Sequence, residues 1–150
     1  MIAIARVHED DLAELLPLVR GYCDFYEVSP SDDELLALAR ALIADPARDG
    51  VQLLARDGEE AIGFATVYWS WATTIASRIG VMNDLFVAPA ARGTGAAEQL
   101  ILACVEECRQ HGAAELTWQT APDNERAQRV YDRVGATRSQ WVDYSFNVRP

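Results

Sequence analysis

The chain alternates between two periodicities, and the order in which they appear defines its elements. Ile2 to Val7 reads as a strand with Ile2, Ile4 and Arg6 on one side. A helix then opens near Asp10 or Asp11, either of which can cap it. Leu12, Leu15, Leu16, Leu18 and Val19 keep helical spacing to about Cys23, and Pro17 inside that run is expected to kink or interrupt the helix. Ser31 followed by Glu34 is a capping-box signature, which predicts a second helix to about Ala44. Val51 to Arg56 reads as a strand, Asp57-Gly58 as a hairpin turn, and Ala61 to about Ala72 as the returning strand. A third strand in this run spans Arg78 to Val87 and ends at Pro89. Residues 93 to 111 form a long helix closed by Gly112, Ala114 to Thr120 a strand, and Asp123 to Val134 a helix stopped by Gly135. Gln140 to Val148 closes the chain as a strand.

Consecutive strands in the middle predict antiparallel pairing, and the later strand–helix–strand order predicts a parallel crossover. The expected fold is mixed α/β: a central, mostly antiparallel sheet flanked by helices on both faces. At 150 residues the chain fits a single domain spanning 1–150, with no repeats or candidate linkers. No apolar run is long enough to span a bilayer, and early charges at Arg6, Glu9 and Asp10 do not fit a signal peptide. A cytoplasmic protein is expected.

Composition narrows the partners. The formal charge is −10, and all 13 basic residues are arginine. Such a surface repels nucleic acid and anionic membranes and favours cations at long range; simple solubility is the other reading of the same charge. Cys23, Cys104 and Cys108 lack the spacing of a disulfide framework. Cys104, Cys108 and His111 have metal-compatible helical spacing, but both cysteines also belong to the apolar stripe of Leu100, Ile101, Cys104, Val105 and Cys108. The stripe is the preferred reading, with no metal expected.

The most informative segment runs from Leu85 to Ala97. A strand ends at Pro89, a basic, glycine-rich turn follows (Arg92-Gly93-Thr94-Gly95), and a helix opens directly after it. The first N–H groups of a helix have no internal partner, so such a turn presents them to an anion. The spacing is neither that of a P-loop nor that of a dinucleotide-binding turn, and the chain has no lysine for a P-loop to use.

Arg92-Gly93-Thr94-Gly95-Ala96-Ala97 resembles the [QR]-x-x-G-x-[GA] coenzyme A motif of the GNAT acetyltransferases. Asn124, Ala127, Tyr131 and Gly135 resemble that family's second signature, N-x-x-A-x-x-x-Y-x-x-x-G. One helix and one strand separate the two motifs, as in the family. Asp84-Leu85-Phe86-Val87, the Tyr68-Trp69-Ser70-Trp71 strand and the Tyr22–Glu27 connection further resemble diamine and small-amine acetyltransferases.

The resemblance implies a GNAT fold, acetyl-CoA as cosubstrate, a small-molecule amine as acceptor and a homodimer. It implies that main-chain groups of Leu85, Phe86 and Val87 hold the pantetheine arm. The N–H groups of Arg92, Gly93, Thr94, Gly95, Ala96 and Ala97 would hold the pyrophosphate, with Asn124 and Ala127 nearer the thioester. Asn124 is equally suited to cap its helix. Tyr131 is implied as the acid that protonates the leaving thiolate, although its place on the apolar face of Ala127, Val130 and Val134 also suits packing.

Asp84 is the candidate general base or a structural carboxylate. The diamine enzymes carry a Glu-Asp pair where this chain has Asn83-Asp84. Asp24, Phe25, Tyr26 and Glu27 form a candidate acceptor wall, since acids attract an ammonium and rings can face it. Trp69 and Trp71, two apart on one strand, are candidates for the same pocket or for core packing. A non-catalytic acyl-CoA-binding module and a protein or peptide N-acetyltransferase are the alternative functions.

Overall fold

In a computed structural model, which describes residues 1–150, the antiparallel run and the parallel crossover both form. Strand β1 spans Ile2–Arg6, helix α1 Leu12–Phe25 and helix α2 Asp32–Ala44. Strands β2 (Gly50–Asp57), β3 (Glu60–Ala72) and β4 (Ser77–Val87) follow. Helix α3 (Ala96–His111), strand β5 (Glu115–Thr117) and helix α4 (Glu125–Arg133) complete the ordered elements. The strands lie in the sheet in sequence order, β1 to β5; all neighbours are antiparallel except β4 and β5.

Alternation along the strands sends neighbouring side chains to opposite faces, so the sheet carries two cores. Leu53, Ala65 and Val67 pack with Leu100, Ile101 and Cys104 of α3. Leu54 and Phe64, one residue away on the same strands, pack with Leu12, Leu15 and Leu18 of α1 and Ala39 of α2. Gly80 sets the approach of α3: a Cβ there would sit 2.5 Å from the Cys108 sulfur. Cys104 and Cys108 are thus core residues facing the sheet, and the His111 ring stacks on Trp69 at 3.9 Å. The capping box forms as expected, with the Glu34 N–H donating to Ser31 Oγ and the Ser31 N–H to the Glu34 carboxylate.

Two expectations are corrected. Helix α1 runs through Pro17 without interruption; the proline forfeits one backbone bond, while buried Leu15 and Leu18 on either side hold the helix to the sheet. The closing strand Gln140–Val148 does not form, because no main-chain hydrogen bond joins residues 137–150 to the rest of the chain. A strand is defined by its partner, and this segment has none within the chain.

Candidate active site

Strands β4 and β5 pair only over Ile79–Val81 and Glu115–Thr117. Beyond Val81 they diverge, leaving the β5-facing edge of Met82–Val87 without a ladder. A cleft of about 440 Å³ opens there, floored by Leu85, Phe86 and Val87 and walled by α4 on the far side. Because β5 ends early, Trp118, Gln119 and Thr120 line this cleft instead of continuing the sheet. An edge of free main-chain donors and acceptors beside a cleft suits an extended polar ligand, which can bond to it as an added strand would.

At one end of the cleft lies the glycine turn. Pro89–Ala91 makes a single helical turn, and the Thr94 hydroxyl donates to the Ala91 carbonyl at 2.6 Å, bracing the loop from outside the cleft lining. Gly93 and Gly95 take φ of +81° and +87°, a region costly for residues with a Cβ. Helix α3 starts directly after Gly95; its first internal bond runs from the Gln99 N–H to the Gly95 carbonyl, so the N–H groups of Ala96, Ala97 and Glu98 remain available. Arg92, Gly93, Gly95, Ala96 and Ala97 all line the cleft.

Four arginines border it: Arg92, Arg126, Arg129 and Arg133. Arg133 is tied to Glu98 at 2.5 Å, and Arg92 Nε donates to the Val87 carbonyl. An acidic protein thus concentrates positive charge at the helix terminus where an anion fits. The α4 arginines were missed in the sequence reading, although their spacing at 126, 129 and 133 marks one helix face.

Tyr131 lies further along the cleft, its ring edge-on to Trp118 at 5.4 Å. Burial, with a smaller push from Tyr26, raises its phenol above the ordinary tyrosine range, and Thr120 acts in the opposite direction. Asn124 caps α4, its Oδ1 accepting from the Ala127 N–H at 3.2 Å, and both residues also line the cleft. Capping and cleft lining therefore coexist at this residue.

On the α1 side, Tyr22, Phe25 and Tyr26 close the cleft as an aromatic wall. Tyr22 packs on Tyr26 at 5.0 Å and on Phe86 at 6.5 Å, and its hydroxyl donates to the Asn83 carbonyl at 3.1 Å. Asp24 and Glu27 are exposed and do not line the cleft. Asp84 does not line it either, although Met82, Asn83, Leu85 and Phe86 around it do. Its carboxylate accepts from Asn83 Nδ2 at 2.9 Å. Added to burial, its charge raises the Tyr22 phenol and pushes the Tyr68 phenol to about 12.

Trp69 and Trp71 lie away from the cleft. Trp69 is buried under α3 and donates from Nε1 to the Pro46 carbonyl at 2.8 Å, and Trp71 is 68% exposed beneath the Arg78 guanidinium. The pairing of residues 69–72 with 77–80 holds both rings at the closed end of the hairpin, opposite the divergence of β4 and β5.

Comparison with known proteins shows the family and the fold. Residues 15–136 match the acetyltransferase (GNAT) family. The chain is 32% identical over 146 residues to the uncharacterized N-acetyltransferase YhfO of Bacillus subtilis, covering 97% of each chain. It is 27% identical to a thialysine N-epsilon-acetyltransferase of Caenorhabditis elegans, over 87% of this chain and 80% of that one. Among solved structures, a probable acetyltransferase superposes with a TM-score of 0.84 at 26% identity, covering 99% of both chains. By that family match and the 32% identity to YhfO over nearly the whole of both chains, the chain belongs to the GNAT family and is an acetyl-CoA-dependent N-acetyltransferase.

Proposed function

We propose that the protein transfers the acetyl group of acetyl-CoA to a primary amine of a small molecule, polyamine-like or amino-acid-like, by direct attack within a ternary complex. The single observation that carries this reading is the continuity of the cleft. It runs from free N–H groups at the start of α3, along the open β4 edge, to Tyr131 beside an aromatic wall.

In this reading the N–H groups of residues 93–97 hold the pyrophosphate; the Arg92 N–H, also expected there, donates instead to the Pro89 carbonyl, and the side chains of Arg92 and the α4 arginines neutralise the charge. Main-chain groups of Leu85, Phe86 and Val87 hold the pantetheine arm, and Asn124 and Ala127 border its thioester end. The acceptor amine enters between Tyr131 and the wall of Tyr22, Phe25 and Tyr26. Asp24 and Glu27, outside the lining, add negative field at the mouth and draw a cation inward. The neutral amine attacks the thioester carbonyl, the C–S bond breaks, the Tyr131 hydroxyl donates a proton to the departing sulfur, and the proton shed by the acylated nitrogen returns through water to the tyrosinate. A reference phenol pKa of about 10 against about 8.5 for a thiol keeps that transfer within reach.

Glu98 is the one carboxylate lining the cleft, and it is held by Arg133. The ammonium proton therefore leaves through water, toward Asp84 behind Asn83 or toward solvent. The likeness to a thialysine acetyltransferase supports a small acceptor with a side-chain amine. We also place the protein in the cytoplasm, consistent with its three free cysteines and with the absence of any helix long and apolar enough to cross a membrane.

The test is thiol release from acetyl-CoA with a panel of small primary amines run beside peptides with free N-termini and lysines. Amine-dependent release with the small acceptors is expected. Release with peptides alone would overturn the acceptor class, and cofactor binding without amine-dependent release would overturn the transfer itself.

The raised Tyr131 phenol also predicts a pH profile. The active form of this residue is the protonated one, so raising its pKa moves the loss of activity to higher pH. Turnover is expected to rise with pH as the acceptor ammonium deprotonates, with no alkaline fall below about pH 10. A fall beginning near pH 8 would remove Tyr131 from the acid role.

A further inference from the structure

The helix terminus assigned to an anion already has one beside it, supplied by the chain. Glu98, the third residue of α3, is the one carboxylate lining the cleft. Its side chain is only 27% exposed, and Oε1 accepts from Arg133 of α4 at 2.5 Å. That hydrogen bond, with a second from the residue's own main-chain N–H, holds the carboxyl below the ordinary glutamate range. This N–H is one of the three at the start of α3 that lack a main-chain partner. Glu98 thus takes up part of what the terminus offers an anion, together with one of the four arginines that border the cleft.

No other arginine of the cleft is tied to a carboxylate inside it. Arg92 donates to a carbonyl, and Arg129 stands 3.9 Å from Glu125, which is 81% exposed and outside the lining. A first-turn glutamate suits the helix dipole and needs no ligand to explain it. Its cation is the informative part, because Arg133 lines the same cleft. An incoming pyrophosphate meets a like charge and a guanidinium already in use. Every phosphate ligand must therefore displace the carboxylate from Arg133. Contacts along the β4 edge can offset that cost for a ligand with a pantetheine arm. A bare phosphate has no such contacts.

We propose that Glu98 is a specificity-determining counter-anion: it sets an affinity threshold that a phosphate ligand passes only when it also fills the β4 edge. The inference rests on the assignment of this terminus to the pyrophosphate of acetyl-CoA. As the ligand binds, Arg133 exchanges a carboxylate for a phosphate and keeps a charge-assisted partner. The displacement is the same for every phosphate, so neutralising Glu98 raises all their affinities by one common factor.

Glu98→Gln removes the charge and keeps a side-chain acceptor in the first turn. The test is titration calorimetry of parent and variant with acetyl-CoA, alone and in competition with inorganic pyrophosphate. At low salt the variant is expected to bind both ligands at least about threefold more tightly, and at about 0.5 M salt the gain falls below about twofold. The unliganded variant is expected to melt about 1–4 °C lower, because the tie between α3 and α4 and the charge at the dipole are lost. Tighter binding by a less stable protein is the signature, since a merely structural glutamate would lower both. Unchanged or weaker acetyl-CoA binding in the variant would show that Glu98 only orients Arg133, and would overturn the proposal while leaving the cofactor site intact. A gain for acetyl-CoA with none for pyrophosphate would overturn it as well, because the carboxylate would then act away from the phosphates. A parent that binds no acetyl-CoA would remove the site itself, and the proposal with it.

Discussion

Tyr131→Phe is expected to lower the turnover number for acetyl transfer by about 10²–10⁴-fold while leaving the acetyl-CoA dissociation constant within about twofold. The split follows from what the substitution removes. The ring that meets Trp118 edge-on at 5.4 Å is kept, so cleft shape and helix packing persist. Only the hydroxyl is lost, and with it the proton for the sulfur as the C–S bond breaks. An interaction made in the transition state but not in the ground state appears in the rate and not in the binding constant. Single-turnover rates and equilibrium titration of the same preparation separate the two quantities. A parallel loss of affinity and rate would show that Tyr131 serves packing, the role its apolar neighbours Val130 and Val134 also suit.

The second large effect concerns the anion site. Gly95→Glu is expected to weaken acetyl-CoA binding by at least about a hundredfold in a protein that remains folded. Two causes add. Gly95 has φ +87°, where a side-chain-bearing residue costs roughly 1–2 kcal/mol. The new carboxylate also extends from a position where an added Cβ meets no protein atom within 4 Å, at the margin of the cleft. Its charge therefore stands among the N–H groups assigned to the pyrophosphate. Gly95→Ala, which carries the strain without the charge, separates the causes, and its smaller loss of affinity measures the first alone. Circular dichroism and thermal melting establish that the fold survives in both. Unchanged affinity in Gly95→Glu would remove the phosphate-site assignment.

What could be read before any coordinates was whatever local chemistry determines. Pro89, the paired glycines and the helix after them specify a strand end, a positive-φ turn and a bare helix terminus by short-range sterics alone, and all three are present. Asn124 was legible as a cap for the same reason. The antiparallel run and the parallel crossover followed from where helices interrupt the strands. Features that depend on how two distant strands meet were not legible. Trp69 and Trp71 looked like pocket residues because period-two spacing gives a face but not where a cleft opens along the sheet; their pairing with Gly80 and Arg78 holds them at the closed hairpin end. Trp118, Gln119 and Thr120 looked like strand residues because nothing local announces that β4 and β5 separate after three paired residues. Asp84 has the right neighbours in sequence, yet it alone among residues 82–87 is absent from the cleft lining. The tail from Gln140 has the pattern of a strand but no partner within the chain, which sequence cannot supply.

Calorimetric titration of the folded full-length chain with acetyl-CoA tests the central claim most directly. A saturable, single-site heat is predicted, with comparable affinity for CoA and a large loss for an analogue that keeps the pantetheine arm but lacks the pyrophosphate. No heat with either acetyl-CoA or CoA, or equal affinity for the analogue without phosphates, would contradict a cofactor site built on the opening turn of α3.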